Sequence, residues 1–300
     1  MKKLLYAISL LAMTLFFSSV SYAMTGIFWQ PQLRDNSVSD AQWNMLMQSV
    51  RQQGFDTLIV QWTQYGDGLA GAQEQAVLLK RMNAARSAGL NLVIGLNSDP
   101  EFFSRQKQSA SALPEYLNQL KAADINQAQH WSKLLPGQFS GWYISAEIDD
   151  ANWREPAAQA IMEKWLGDTR VALTQVANKP VYISSFFSGN TTPENYGLLI
   201  TALRNTGLNV WIQNGGGTNT LTAAQRALYL DESVGCNTDH LANGIIYELF
   251  SIHASNTFKA DPKATSDAKE ILKTPPRCGK DRLFFSLRYL PIADGIMQRN

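Results

Sequence analysis

Two glutamates are of a type, and in a setting, that could do chemistry. Glu147 lies in Trp142-Tyr143-Ile144-Ser145-Ala146-Glu147-Ile148-Asp149-Asp150, and Glu248 in Ile245-Ile246-Tyr247-Glu248-Leu249-Phe250. Each ends a short apolar, β-rich run, where a purely structural carboxylate is costly unless it is paired. Two carboxyl groups facing each other across a sugar can cleave a glycosidic bond. One protonates the leaving oxygen while the other attacks the sugar or activates water. Strand alternation gives Tyr143, Ser145 and Glu147 one common face, and Ile246 and Glu248 another.

The elements that must position them form a repeating series. Eight short runs have the cores Gly26–Trp29, Thr57–Val60, Leu92–Gly95, Trp142–Ser145, Val181–Ser184, Val210–Ile212, Gly244–Tyr247 and Leu283–Ser286. Helical patterns lie between them. Ser39 with Gln42, and Thr222 with Gln225, make capping-box spacings, while Pro156 and Pro193 suit first helical turns. Further helices are expected over Glu74–Ala88 and Leu113–Leu134, with a last one near Ser266–Lys273. Strands alternating with helices predict a parallel α/β fold. An open doubly wound sheet would need a Gly-rich phosphate turn after the first strand, and Trp29-Gln30-Pro31 stands there instead. The expectation is therefore one (β/α)₈ TIM barrel over residues 24–300, with no linker or second domain.

In such a barrel the site forms at the C-terminal strand ends, and strands 4 and 7 face each other across the mouth. Gln30, Gln61, Trp62, Asn97, Gln213, Asn214, Arg288 and Tyr289 all fall at or just past strand ends. Amides, an arginine and flat rings suit hydroxyl-rich sugars with apolar faces, although Trp62 and Tyr289 would serve equally as core. Asp149 has three readings: it orients Glu147, touches substrate, or competes with Asp150 and Asn152 to cap the helix that Pro156 begins. Gly215-Gly216-Gly217 has no following Lys-Ser or Lys-Thr, so it reads as a flexible loop at the mouth rather than a phosphate cradle. Glu147, Asp149 and Asp150 lack regular metal-ligand spacing, and His130, His240 and His253 show no zinc pattern, so no metal or cofactor is expected.

The first residues read as an export leader. Lys2 and Lys3 precede the apolar stretch Leu4–Val20, and Ser21-Tyr22-Ala23 offers small residues for cleavage before Met24. A signal peptide over residues 1–23 implies a periplasmic or secreted protein with no stable membrane span after cleavage. In an oxidising compartment Cys236 and Cys278, both in turn-rich segments, are expected to form a disulfide. The net charge is +1 with scattered basic residues, which argues against nucleic-acid and membrane-surface partners.

Glutamates ending strands 4 and 7 resemble the pattern of a large clan of retaining glycoside hydrolases built on this barrel. The resemblance implies Glu147 as acid/base and Glu248 as nucleophile; Ala146 stands where that clan carries an Asn. Gly26-Ile27-Phe28-Trp29-Gln30-Pro31, Glu147-Ile148-Asp149-Asp150-Ala151-Asn152-Trp153 and Arg282–Pro291 are similar to an uncharacterised bacterial family of barrel proteins, some of which accompany exopolysaccharide synthesis genes. Together the two resemblances imply a glycoside hydrolase of a polysaccharide or oligosaccharide, linked to exopolysaccharide synthesis or export machinery. The alternative is a non-catalytic glycan-binding accessory protein on the same fold.

Overall fold

Each of the eight apolar runs is a strand in the computed structural model, which describes residues 23–236, 241–252 and 260–299. They are β1 (Thr25–Trp29), β2 (Thr57–Val60), β3 (Asn91–Gly95), β4 (Gly141–Asp149), β5 (Val181–Phe186), β6 (Asn209–Gln213), β7 (Gly244–Glu248) and β8 (Asp281–Phe285). Neighbours pair in parallel in chain order, and β8 returns to β1, so the sheet closes. The open-sheet alternative is thereby excluded. The expected leader lies outside the described residues but for Ala23, and His240 and His253 lie outside them entirely.

Strands covered on both faces read as near-continuous apolar runs, which is why all four residues of β2 are buried. Inward residues meet in a layer inside the barrel: Phe28, Ile59, Val93, Tyr143, Trp211, Ile246 and Leu283. The layer is strongly aromatic. Phe28 meets Tyr143 edge-on at 5.4 Å, and Tyr182 stacks on Trp211 at 4.3 Å. Outward residues, including Trp142 and Ile144, join the larger core under the helices. Glycine is required at one tight approach. A Cβ on Gly95 would lie 2.2 Å from the backbone oxygens of Val60 and Gln61, so β2 and β3 can close up only without it.

The helices begin as the sequence signals. They are α1 (Asp40–Gln52), α2 (Ala72–Ser87), α3 (Leu113–Leu134), α4 (Pro156–Val176), α5 (Pro193–Asn205), α6 (Ala223–Ser233) and α7 (Thr265–Leu272), with a single-turn helix at Phe102–Arg105. Ser39 Oγ accepts from Gln42 N at 3.2 Å, and Gln42 Oε1 accepts from Ser39 N at 3.0 Å. Thr222 and Gln225 repeat this reciprocal pair at the start of α6. After β8, two short 3₁₀ turns, Leu287–Tyr289 and Pro291–Ala293, complete the described fold. At the mouth, Phe250–Ile252 pairs with Ala260–Pro262, and Gln64–Tyr65 pairs with Asn97–Ser98.

Cys236 and Cys278 form the expected disulfide between the loop after α6 and the turn before β8. It closes a loop with a sequence separation of 42 residues. The entropy it removes from the unfolded chain is worth up to about 4 kcal/mol. A Cys236→Ser/Cys278→Ser variant should therefore unfold at a clearly lower denaturant midpoint. An unchanged midpoint would show that the bridge does not stabilise the barrel.

Candidate active site

The C-terminal strand ends surround a cleft of about 490 Å³. Glu147 and Glu248 both line it, as do Gln30, Gln61, Trp62, Gln213 and Tyr289. The sequence thus places both glutamates on one cleft, which a third acidic residue, Asp99, also lines.

Glu147 reaches the cleft through an irregularity in β4. Its pairing with β5 runs from Ile144–Ile183 directly to Glu147–Ser184, so β4 carries extra residues at Ser145 and Ala146. Bulges of this kind re-aim side chains beside functional sites. Ser145 Oγ pins the bulge by donating to Gln61 O at 2.6 Å, and Tyr143, Ser145 and Glu147 all line the cleft. Ala146 packs against the outer core. Burial pushes the Glu147 carboxyl up to about 7; the Gln213 side chain pulls it down and the charge of Glu248 adds to the rise.

Glu248 ends β7 and is only 3% exposed. Its Oε1 accepts from Gly215 N at 3.2 Å, and its Oε2 accepts from Gly217 N. The triple-glycine segment is therefore an anion-holding nest of backbone N–H groups, and the anion it holds is the protein's own carboxylate. Burial raises the Glu248 pKa, opposed by these two donors and by the charges of Lys263 and Arg226. Lys263 Nζ ties the nest to the mouth hairpin by donating to Gly216 O at 2.9 Å and Ser251 Oγ at 3.1 Å. A Cβ on Gly217 would lie 2.8 Å from the Phe250 ring and 3.0 Å from Glu248 Cβ. Gly217→Ala should accordingly cost about 1–3 kcal/mol of stability and displace Glu248. Denaturation and ligand binding by this variant, each indistinguishable from wild type, would show the fit to be looser than this.

Four expected cleft residues are not among those that line it. Arg288 is 2% exposed and donates to Asp35 Oδ1 at 2.8 Å, joining the turn after β8 to the turn after β1. Asp149 accepts from Gln106 Nε2, Ala151 N and Asn152 N, so it fixes its own turn and neither touches the cleft nor caps α4. Asp150 likewise accepts from Gly189 N and Asn190 N. The Asn97 N–H donates to Asp124 Oδ1, whose buried carboxyl is pushed up to about 8, and Asn214 Oδ1 accepts from Gly216 N. Among the described residues there is no group of three or more His, Cys, Asp or Glu placed to hold a metal.

The cleft also has walls that strand-end reasoning passes over. Tyr65, 41% exposed, lies 4.7 Å from the Trp62 ring, and Phe103, 46% exposed, lies 6.1 Å from Phe186. Asp99 stands between them in sequence and also lines the cleft. Exposed aromatic rings suit stacking against sugar rings.

A closed eight-stranded parallel barrel with an acidic cleft at its C-terminal face is the class that fold and site define. The chain belongs to the family described as domain of unknown function DUF4434, whose model matches residues 24–294. It is 50% identical over 281 residues to the uncharacterized protein YbcH of Escherichia coli K12, covering 94% of this chain and 95% of that one. A proposed alpha-L-fucosidase from Bacteroides thetaiotaomicron has a similar structure, with TM-score 0.60 and 14% identity over 95% of this chain and 91% of the other. The catalytic domain of a beta-amylase from Paenibacillus polymyxa is also similar, with TM-score 0.53 and 11% identity over 92% and 95% of the two chains. These two structural likenesses concern the fold. Among the described residues no helix is long and apolar enough to cross a membrane.

Proposed function

We propose that this protein is a glycoside hydrolase in which Glu147 and Glu248 are the working pair. The observation that carries the reading is that two carboxyl groups from opposite strand ends line one cleft, and that the charge of one raises the pKa of the other. Pairs of acids in different environments divide into a proton donor and an anion. Glu147, with its carboxyl near 7, is the donor, and Glu248, held by two backbone N–H groups, is the anion.

In this mechanism Glu147 delivers its proton to the glycosidic oxygen as the bond to the anomeric carbon breaks. Glu248 attacks that carbon and forms a glycosyl ester. Glu147, now ionised, takes a proton from water, the resulting hydroxyl displaces Glu248, and both groups return to their starting states. Trp62 and Tyr65 on one side and Phe103 and Phe186 on the other support the sugar rings. The disulfide and the export leader expected from the sequence favour action outside the cytoplasm, in the periplasm or after secretion, on an exopolysaccharide.

Protonation gives the reading a sign. A carboxyl raised to about 7 is the acid below that value, so kcat/KM should decline as pH rises through about 7. The test is a pH–rate profile on a cleaved oligosaccharide, with the anomeric form of the first product followed by proton NMR. Retention of configuration with a falling limb near 7 fits the pair. Inversion would make Glu248 a base rather than a nucleophile, and oligosaccharide binding without any cleavage would make the protein a glycan-binding accessory.

A further inference from the structure

The end of the barrel opposite the cleft holds Met24 at three points. Its N–H donates to Asp281 Oδ1 at 2.8 Å, and its carbonyl accepts from Arg282 N at 2.8 Å. Its side chain packs against the inward layer that includes Phe28, Ile59 and Leu283. Met24 thereby fastens the start of β1 to the start of β8, the two strands whose pairing closes the sheet.

The groups around that nitrogen are acidic. Asp281 is half-buried, and its Oδ2 accepts from Trp211 Nε1 at 3.0 Å. A Cβ on Gly244 would lie 2.5 Å from Asp281 Cβ, so the neighbouring strand forgoes a side chain where the carboxylate stands. Asp56 accepts from Thr25 N at 3.0 Å and from Thr57 Oγ1 at 2.6 Å. Burial pushes the Asp281 carboxyl up, the Trp211 and Met24 donors pull it down, and the charge of Asp56 adds to the rise while Lys280 opposes it. No ion pair among the described residues engages Asp56 or Asp281. Both carboxylates are answered only by neutral donors, and charge-assisted hydrogen bonds are the stronger kind.

We propose that an external peptidase cuts the chain between Ala23 and Met24, and that the freed α-ammonium of Met24 forms an ion pair with Asp281 that locks the closed barrel. The inference extends the export leader expected from the sequence and is independent of the hydrolase reading. Hydrolysis of that peptide bond consumes one water and leaves a carboxylate on Ala23 and an amine on Met24, which is mostly protonated at neutral pH. The nitrogen keeps its place, because the carbonyl and side chain of Met24 are held separately from it. Its charge is what changes: a neutral donor to Asp281 becomes a cation. The uncut chain has only the amide there, so the barrel reaches its full stability after the leader is removed.

The intact mass of the exported protein is the first test, and the expected chain begins at Met24. Any other first residue would overturn the inference. Thermal midpoints are then compared for a chain beginning at Met24 and one that keeps Ser21-Tyr22-Ala23, each with and without Asp281→Asn. The Met24 chain is expected to melt about 2–4 °C higher, the scale of one charge-assisted bond in a domain of this size, with the gap shrinking in added salt. Asp281→Asn should erase the gap. A second measurement covers the case in which that variant does not fold. Acetic anhydride should label the Met24 α-amine at least about tenfold more slowly in the folded mature protein than in urea, as an ion-paired nitrogen requires. Equal midpoints for the two chains, a gap that survives Asp281→Asn, or equal labelling would each overturn the ion pair.

Discussion

Turnover is expected to fall about 10²–10⁴-fold when Glu147 is replaced by Gln, because the leaving oxygen then departs without its proton. The loss should depend on the leaving group. A dinitrophenyl glycoside needs little protonation, so Glu147→Gln should cleave it almost normally up to the glycosyl ester. Glu248→Gln should fail on both kinds of substrate, since it lacks the group that attacks carbon. Both replacements keep side-chain volume. Gln at 147 removes the charge whose burial raises that pKa, so its thermal midpoint should not fall, whereas Gln at 248 sets an NH2 against one of the two glycine N–H donors and should cost about 1–3 kcal/mol. The falling limb of the pH profile near 7 should disappear with Glu147→Gln. Rates within a few fold of wild type for both variants would remove this pair from catalysis.

The second large effect is on stability, and it comes from a residue first expected in the cleft. Arg288 and Asp35 are both buried, with side chains 2% and 7% exposed. Asp35 also accepts from Trp29 Nε1 at 3.3 Å and from Gln32 N at 3.1 Å. Asp35→Ala would leave a guanidinium without its counter-charge and two N–H donors without their acceptor. Removing one partner of such a pair costs about 3–5 kcal/mol, whereas replacing both by apolar residues can be nearly neutral. Asp35→Ala should therefore lower the denaturation midpoint sharply, and Asp35→Leu/Arg288→Met should recover most of the loss. Gln30 and Tyr289 flank this pair in sequence and line the cleft, so the single variant should bind oligosaccharide more weakly as well. Equal midpoints for Asp35→Ala and wild type would mean that the pair contributes nothing to stability.

The contrast between Glu147 and Asp149 marks where the sequence stops being informative. Both are acidic, both sit at the end of β4, and alternation gives them the same face. The bulge at Ser145 and Ala146 carries Glu147 to the cleft, while two residues later the strand ends and Asp149 turns to its own backbone. Periodicity predicts a strand; it does not predict where extra residues enter one. Arg288 departs from expectation for a related reason. A residue just past a strand end can face the mouth or fold back beneath it, and the 3₁₀ turn at Leu287–Tyr289 decides which.

The barrel itself was legible because its signals are local and repeated. Eight apolar runs, two capping boxes and two helix-opening prolines each specify their own segment. The role of Gly215-Gly216-Gly217 was not legible in that way. A glycine run says that backbone can come close to something, and only the neighbouring strand shows that the something is Glu248. Tyr65 and Phe103 stand on connecting segments with no period to read, so their exposure is visible only in three dimensions.

The central claim is that Glu147 and Glu248 together cleave a glycosidic bond. Reducing-end release from a panel of bacterial extracellular polysaccharides and their oligosaccharides, by the wild type beside the Glu147→Gln/Glu248→Gln double variant, tests it most directly. The account predicts release from at least one glycan by the wild type and none above background by the folded double variant. Equal release by both proteins, or binding by both with release by neither, would contradict it.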